Sequence, residues 1–243
     1  MLVQSRAVVL KVIRYNDESV IAEAFTEAQG CVSFLVRISR SRRAAVRHTL
    51  FRPLALLDLG WNHRPAAGLQ RLRSASVSVP LSSLPYEPDK ASVALFLAEF
   101  LHYALRGEPE SQSLFRYVAA SVVWLDTCGA GYANFHFVFL LRLTRFLGFY
   151  PNLEGAGPGA FFDLEKACFV TEQPSHSHFV APPVAALLPK LMRLNYATMR
   201  LFRFSGAERS RLLAGINDYY RLHVAGFPEL KSLPVLAEVF SAR

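Results

Sequence analysis

Residues 36–52 read V-R-I-S-R-S-R-R-A-A-V-R-H-T-L-F-R, with six arginines and no acidic residue. Strand-like alternation precedes this basic segment (residues 36–52), and an apolar run at 54–59 follows it. A cationic segment between two strands is what a small β-barrel presents to a polyanion. An Arg-rich loop that serves only solubility has the same composition, so the segment by itself leaves both interpretations open.

The first 80 residues predict a small β-barrel. Five short strand-like runs are separated by turn residues, at 7–13, 20–25, 31–36, 54–59 and 69–79. The sequence T-E-A-Q-G at 26–30 is a hairpin signal in which Gly30 can take a positive φ. Five strands in a segment of this length are typical of the oligonucleotide-binding (OB) barrel.

Beyond residue 80 the hydrophobic period becomes helical. A Pro- and Ser-containing linker at 81–88 separates the two patterns. Helices are predicted at 89–105, 111–126, 132–147, 184–194, 205–224 and 233–240. In the first two, apolar residues recur at helical spacing on one face, from Val93 to Ala104 and from Leu114 to Leu125. Gly148 is predicted to close the third helix, and S-x-x-E at 205–208 predicts a capping box. Residues 149–183 are predicted to form an irregular insertion with a small hairpin, 161–164 against 168–170. The predicted fold class is α+β: an N-terminal OB-fold β-barrel domain, residues 1–80, followed by an α-helical domain, residues 81–243.

The positive charge is concentrated in the predicted barrel. Residues 1–80 hold 12 Lys and Arg against 5 Asp and Glu, whereas residues 81–243 hold 15 against 14. This asymmetry favours a barrel that meets an anion and a remainder that serves as scaffold or protein-binding part.

Other classes of protein find little support in the sequence. We find no phosphate-binding glycine loop, nucleophile elbow or zinc-protease motif, and therefore predict a binding protein rather than an enzyme. His176 and His178 could present two imidazoles to a metal, but an exposed loop is the expected reading. The three cysteines are dispersed, and we expect no signal peptide, no transmembrane span and a cytoplasmic location.

Three parts of the chain together resemble the bacterial DNA repair protein RecO family. They are E-S-V-I-A-E-A-F-T-E-A-Q-G (18–30) with R-I-S-R-S-R-R (37–43) and L-F-R-P-L (50–54), R-L-T-R-F-L-G-F-Y-P (142–151), and E-L-K-S-L (229–233). The resemblance implies an OB barrel before a helical domain, in a non-enzymatic, nucleoid-associated protein without a cofactor. It also implies binding of single- and double-stranded DNA and annealing of complementary strands. Such a protein works with RecR and RecF so that RecA replaces single-strand DNA-binding protein (SSB), whose acidic C-terminal tail it grips.

The resemblance also assigns roles to residues. The family's basic loop matches Arg37, Arg40, Arg42 and Arg43, which are therefore expected to contact DNA. Arg47 and Arg52 complete the basic segment, and Arg6, Lys11 and Arg14 could extend the path, although ordinary barrel surface explains those three equally well. Candidate stacking aromatics are Tyr15, Phe34 and Phe51, of which Phe34 alternates with core positions and is expected to be buried.

The chain departs from the family pattern in two places. Many members hold zinc with four cysteines after the L-G-x-x-P element, but residues 152–169 supply only Cys168, so no metal is predicted. The family's SSB-tail pocket lies near the helix that ends at L-G, where a basic residue early in the helix often anchors the tail. Arg142 or Arg145 could substitute from further along, with Leu141 and Phe146 lining an apolar groove, or these apolar side chains could simply be core.

Rival functions remain at this point. An RNA- or ribosome-associated OB protein would carry the same basic barrel, and the 2′-hydroxyl would distinguish its ligand. A peripheral membrane protein could use the basic face on anionic lipid. An enzyme with a small-molecule pocket in the helical half would need convergent polar residues, which the sequence does not show at motif spacing.

Overall fold

A computed structural model describes residues 1–38 and 46–241 of the protein. Backbone contacts divide the chain into two compact units, Met1–Thr127 and Cys128–Arg243. The first unit therefore contains the first two helices together with the strands that precede them. The division into domains 1–80 and 81–243 stays a prediction.

Five strands of the first unit close into a barrel in the order β1-β2-β3-β5-β4. They are β1 (Leu2–Asn16), β2 (Ser19–Thr26), β3 (Gly30–Arg37), β4 (Leu56–Asn62) and β5 (Gln70–Val79). β1 is long enough to serve two neighbours, because residues 7–16 pair with β2 and residues 2–8 pair with β4. A short parallel contact, Phe34 with Gln70 and Leu35 with Arg71, joins β3 to β5. The predicted OB-like barrel is confirmed, and the chain is α+β.

The barrel core follows from strand alternation, in which successive side chains point to opposite faces. On β3, Phe34 and Val36 are buried, whereas Arg37 is exposed. Phe34 packs edge-on against the buried Trp61 of β4, with the ring centroids 5.2 Å apart. Phe51 is also buried, which leaves Tyr15 as the exposed member of the three candidate stacking aromatics.

The turn between β2 and β3 is the predicted hairpin. Its Gly30 has φ +62°, a conformation that side-chain-bearing residues rarely adopt. A Cβ at this position would also lie 3.3 Å from the carbonyl oxygen of Glu108. The turn therefore favours glycine at residue 30, and a side chain there would also crowd the backbone at Glu108.

Two helices complete the first unit, α1 (Pro88–Ala104) and α2 (Gln112–Thr127). Pro88 occupies the first turn of α1, where its missing N–H leaves no bond unmade. The side chains predicted to share the inward faces of the two helices are all buried: Val93, Phe96, Leu97, Phe100, Leu101, Ala104, Leu114, Phe115, Val118, Val122 and Leu125. The helical period of the sequence was sufficient to identify both faces.

The carboxylate of Asp126, near the end of α2, holds the linker between barrel and helix. It accepts hydrogen bonds from the backbone N–H groups of Ser82 (2.9 Å), Ser83 (2.8 Å) and Leu84 (2.7 Å). The almost completely buried Lys90 donates to the Ser83 hydroxyl (2.7 Å) and to the Asp126 carbonyl (3.2 Å). These contacts form what we call the Asp126 clamp (residues 82–84, 90 and 126). The polar residues of the predicted linker are therefore bonded to α2.

The second unit contains α3 (Phe135–Leu147), α4 (Pro182–Ala185), α5 (Leu188–Arg193), α6 (Gly206–His223) and α7 (Ser232–Ser241). α3 ends as predicted at Gly148, whose φ of +84° is left-handed. α6 begins with the predicted capping box, in which the Ser205 hydroxyl accepts from the Glu208 N–H and the Glu208 carboxylate accepts from the Ser205 N–H. In the described residues, no helix combines the length and hydropathy that crossing a membrane requires.

The insertion at 149–183 is more ordered than the sequence indicates. The predicted hairpin is present as β6 (Phe161–Asp163) against β7 (Cys168–Val170). A third strand, β8 (Phe179–Val180), pairs with the other edge of β6 and was not predicted, because two residues carry no periodicity. The helix predicted at 184–194 is instead the two short helices α4 and α5, with Pro189 in the first turn of α5, where a missing N–H is tolerated.

Candidate nucleic-acid interface

The structure places only part of the basic segment. Arg40, Arg42 and Arg43 lie outside the described residues, so their role as DNA contacts stays a prediction. Arg37 is the last residue of β3, and Arg47 and Arg52 lie on either side of a single 3-10 turn at His48–Leu50. Arg37, Arg47 and Arg52 are all exposed.

The end of the basic segment and the residues that follow it are anchored to the barrel. Phe51 is buried in the barrel core, and the Leu54 N–H donates to the Val9 carbonyl at 2.8 Å. The Val9 N–H returns a bond to the Ala55 carbonyl at 3.0 Å. The backbone beside Arg47 and Arg52 is therefore held in place by core packing and by strand-like hydrogen bonds.

Two further arginines join Arg37 on the outer surface of the barrel. Leu35 of β3 pairs with Arg71 of β5 in a parallel contact. Arg37 lies two residues after Leu35, and Arg73 lies two residues after Arg71. Arg71 and Arg73 are exposed and lie on either side of Leu72, which packs on the core, so both point outward. We call Arg37, Arg71 and Arg73 the strand arginines. Because neighbouring strands are about 4.8 Å apart, the three cations share one face.

The strand arginines keep their charge available. Within residues 1–38 and 46–241, none of them forms an ion pair with a carboxylate. Sequence reasoning did not single out Arg71 and Arg73, although the R-L-R alternation at 71–73 was a usable signal for two outward cations. Their proximity to Arg37 depends on the β3–β5 pairing, which the sequence does not reveal.

The three cations of β1 are placed differently. Arg6 forms a two-pronged ion pair with Glu27 (2.9 and 2.8 Å), and its guanidinium lies 5.5 Å from the Phe115 ring. The hydrogen bond from Arg6 is the main reason that the pKa of Glu27 is lowered. Since its charge is already matched by a carboxylate, Arg6 is poorly suited to a phosphate.

Lys11 and Arg14 also have partners. The Lys11 ammonium lies 3.2 Å from Nε2 of His102, in the pocket formed by β1, β2, β3 and α1. Arg14 pairs with Asp17 at 2.6 Å in an exposed contact, which contributes little. Arg14 does lie at the Arg37 end of the barrel, because its β2 partner Val20 pairs in turn with Val36. The structure therefore brings Arg14, but neither Arg6 nor Lys11, towards the strand arginines.

His102 joins Lys11 to a carboxylate. Its Nδ1 lies 2.7 Å from Glu23 Oε2, while its Nε2 faces the Lys11 ammonium, which can only donate. The ring therefore accepts at Nε2 and donates from Nδ1. The hydrogen bond from His102 is the largest influence on the pKa of Glu23 and lowers it, outweighing the opposing effect of burial.

The lowered pKa of Glu23 predicts a pH dependence of stability. Because the folded state favours the carboxylate, its contribution is present above the ordinary pKa of 4.5 and is lost as pH falls through the lower folded value. We expect Glu23→Gln to reduce the free energy of unfolding by about 1 kcal/mol at pH 7, and by less as the pH falls below 4.5. Urea unfolding of both proteins between pH 7 and pH 3 measures the difference. Asp17→Asn, which breaks only the exposed contact with Arg14, is the control and should change the free energy of unfolding by less than about 0.5 kcal/mol. A Glu23→Gln effect that stays constant down to pH 3 would contradict the assignment.

The four residues predicted to bind an SSB tail all lie on α3, but they differ in exposure. Leu141 is buried in the core of the second unit, where it lines a small apolar cavity of about 20 Å³. Arg142 is half-buried and donates to the Leu194 carbonyl at 3.0 Å. Arg145 and Phe146 are exposed, and the Arg145 guanidinium lies 4.3 Å from the Tyr150 ring centroid. Their role in partner binding stays a prediction.

The comparisons with known proteins cover both halves of the chain. Residues 1–80 match the family described as Recombination protein O N terminal, and residues 85–234 match Recombination protein O C terminal. The chain belongs to the RecO family. Proteins named DNA repair protein RecO are 49% identical in Bacteroides fragilis and 48% in Phocaeicola vulgatus over 241 residues, and 30% in Flavobacterium psychrophilum over 243 residues. Each alignment covers 99% of this chain and the full length of the relative.

Membership of the RecO family supports a role in DNA repair, and the names of the matched proteins state no catalytic activity. In the described part of the chain, no group of three or more His, Cys, Asp or Glu residues is placed to hold a metal. His176 instead lies 3.4 Å from the buried Asp163, and Cys168 begins β7. The expectation that this member of the RecO family binds no zinc stays a prediction.

Proposed function

We propose that the chain is a DNA repair mediator that binds single-stranded DNA on the outer face of its barrel. The observation that carries the proposal is the set of strand arginines, three exposed cations on two adjacent strands with no carboxylate partner in the described residues. A row of such cations binds a phosphate backbone by releasing its counterions, and this binding does not depend on the base sequence. Arg47 and Arg52 are two further exposed cations, and Arg40, Arg42 and Arg43 belong to the same basic segment of the sequence.

The mediator role extends to annealing and to protein partners. On this proposal the protein anneals complementary strands and, with RecR and RecF, helps RecA replace SSB on single-stranded DNA. An acidic SSB tail would be held on α3 by Arg145 and Phe146, with Arg142 nearby. Membership of the RecO family supports this role, and so does the excess positive charge of residues 1–80.

Fluorescence anisotropy of a labelled oligo-dT tests the core of the proposal. Three phosphates held on single-stranded DNA give a slope of roughly −2 when the logarithm of affinity is plotted against that of salt concentration. We expect a slope at least this steep, because the basic segment adds contacts. Absence of salt-dependent binding would refute the proposal.

Competition separates this function from its rivals. We expect unlabelled DNA to displace the probe at least as well as RNA of the same sequence, and anionic liposomes to displace it poorly. A strong preference for RNA would favour an RNA-associated OB protein, since the 2′-hydroxyl is the distinguishing group. Co-sedimentation with liposomes without DNA binding would favour a membrane-surface role.

A further inference from the structure

An apolar groove of about 630 Å³ opens beside the C-terminal end of the basic segment, within the first unit. Its walls come from the end of β5, the linker and α1, including Val77, Val79, Tyr86 and Ala91. A cavity of this size is in the range of sites that accept small organic groups. Val77 and Val79 are partly exposed there, although apolar strand residues next to a helix are ordinarily covered.

The charges around the groove have one sign. Arg47 and Arg52 line it, and no Asp or Glu is among its described lining residues. Glu87, the nearest carboxylate along the linker, is engaged by Lys90 at 3.4 Å. The groove therefore fits an occupant with a flat or apolar body and a negative charge beside it.

Tyr86 supplies an aromatic surface at this groove. Its side chain is 70% exposed, which is unusual for a tyrosine next to an apolar cavity. Its backbone is held, because the Tyr86 N–H donates to the Ser83 carbonyl at 2.9 Å and Ser83 belongs to the Asp126 clamp. An aromatic side chain on a fixed backbone can stack on a base at a small entropic cost.

We propose that the groove accepts an unstacked base of single-stranded DNA beside Tyr86, while Arg47 and Arg52 hold the adjoining phosphates. This inference rests on the proposed function and adds base stacking to it. Single-stranded DNA is favoured over an acidic peptide because the two arginines are the end of the basic segment.

The experiment compares oligo-dT with an abasic oligonucleotide of equal length, using the full chain at a fixed salt concentration. Both carry the same phosphates, so their affinity ratio isolates the bases. We expect the wild-type protein to prefer oligo-dT by roughly tenfold, the scale of one stacked base. Tyr86→Ala should bring the ratio towards one without weakening abasic binding, and Tyr86→Phe should retain the preference.

A second variant fills the groove. Ala91→Met lengthens a groove-lining side chain on α1, keeps a strong helix former and adds no charge. We expect it to lower the ratio as Tyr86→Ala does. Leu95→Met is the matched control, because Leu95 is exposed on α1 and lies outside the groove lining.

Each negative result leads to a different conclusion. Salt-dependent binding with equal affinity for both oligonucleotides, or a ratio unchanged in Tyr86→Ala, would overturn the base site and leave the proposed function standing. Absence of binding to both oligonucleotides would overturn the proposed function and the base site together. A ratio of one, accompanied by an acidic peptide that binds the wild type and not Ala91→Met, would overturn the base site in favour of protein docking.

Discussion

Replacing Arg37, Arg71 and Arg73 together by glutamate is expected to lower the affinity for single-stranded DNA at least a hundredfold at low salt. Each replacement removes a cation that can neutralise a phosphate and adds a charge that repels it. The slope of log affinity against log salt should become less negative by roughly 2 for the same reason. Anisotropy titrations at four or more salt concentrations measure both quantities.

The matched control for this triple variant is Arg6→Gln with Glu27→Gln. This double variant also removes an arginine from the barrel, but one that is paired with Glu27 at 2.8 Å. Because the carboxylate is removed as well, the net charge is unchanged. We expect the control to bind within about threefold of the wild type, since exposed ion pairs contribute little. Equal losses in the two variants would show that disturbance of the barrel surface, and not loss of the strand arginines' charge, weakens DNA binding.

Replacing Asp126 with alanine is expected to lower the free energy of unfolding of the first unit by about 3 kcal/mol. The carboxylate accepts three backbone N–H groups, those of Ser82, Ser83 and Leu84, and its removal leaves these donors without their partner. Burial alone would raise the pKa of Asp126, but these hydrogen bonds outweigh it and the pKa is lowered. The folded state therefore stabilises the ionised carboxylate.

Tryptophan fluorescence during denaturation measures this loss. The two tryptophans of the chain, Trp61 and Trp124, both lie in the unit Met1–Thr127, so the signal reports on that unit. Asp126→Asn keeps one acceptor oxygen and should lose less than the alanine variant. Asp17→Ala, which removes an exposed carboxylate of the same unit, should change the stability by less than about 0.5 kcal/mol. A loss at Asp126 no larger than at Asp17 would contradict the role of the clamp.

Much of the fold was predictable because its signals are local. The alternation around Phe34 identified β3 and its buried side, and the helical period identified the buried faces of α1 and α2. Gly30, Gly148 and the Ser205 capping box marked a turn, a helix end and a helix start through backbone chemistry confined to a few residues. β8 and the break between α4 and α5 were missed because a two-residue strand and a single turn of helix carry too little pattern.

The candidate site was less predictable, because a useful cation must be unpaired as well as exposed. Arg6 and Arg37 look alike in the sequence, yet Arg6 meets Glu27 across the β1–β2 hairpin whereas Arg37 meets no carboxylate in the described residues. Nothing near Asp126 indicates that it bonds a linker more than forty positions earlier. Such partners are chosen by strand register and helix packing.

By itself, the amino-acid sequence determined the barrel-then-helices architecture, the concentration of positive charge in the first third and the likeness to the RecO family. These properties depend on residue type and on short-range periodicity, which any stretch of chain displays before it folds. Only the tertiary structure decided that Arg71 and Arg73 lie beside Arg37, that Arg6 is neutralised and that an apolar groove opens next to Arg47 and Arg52. These properties depend on the β3–β5 pairing, the β1–β2 register and the packing of α1 on the barrel, which bring together residues far apart in the chain.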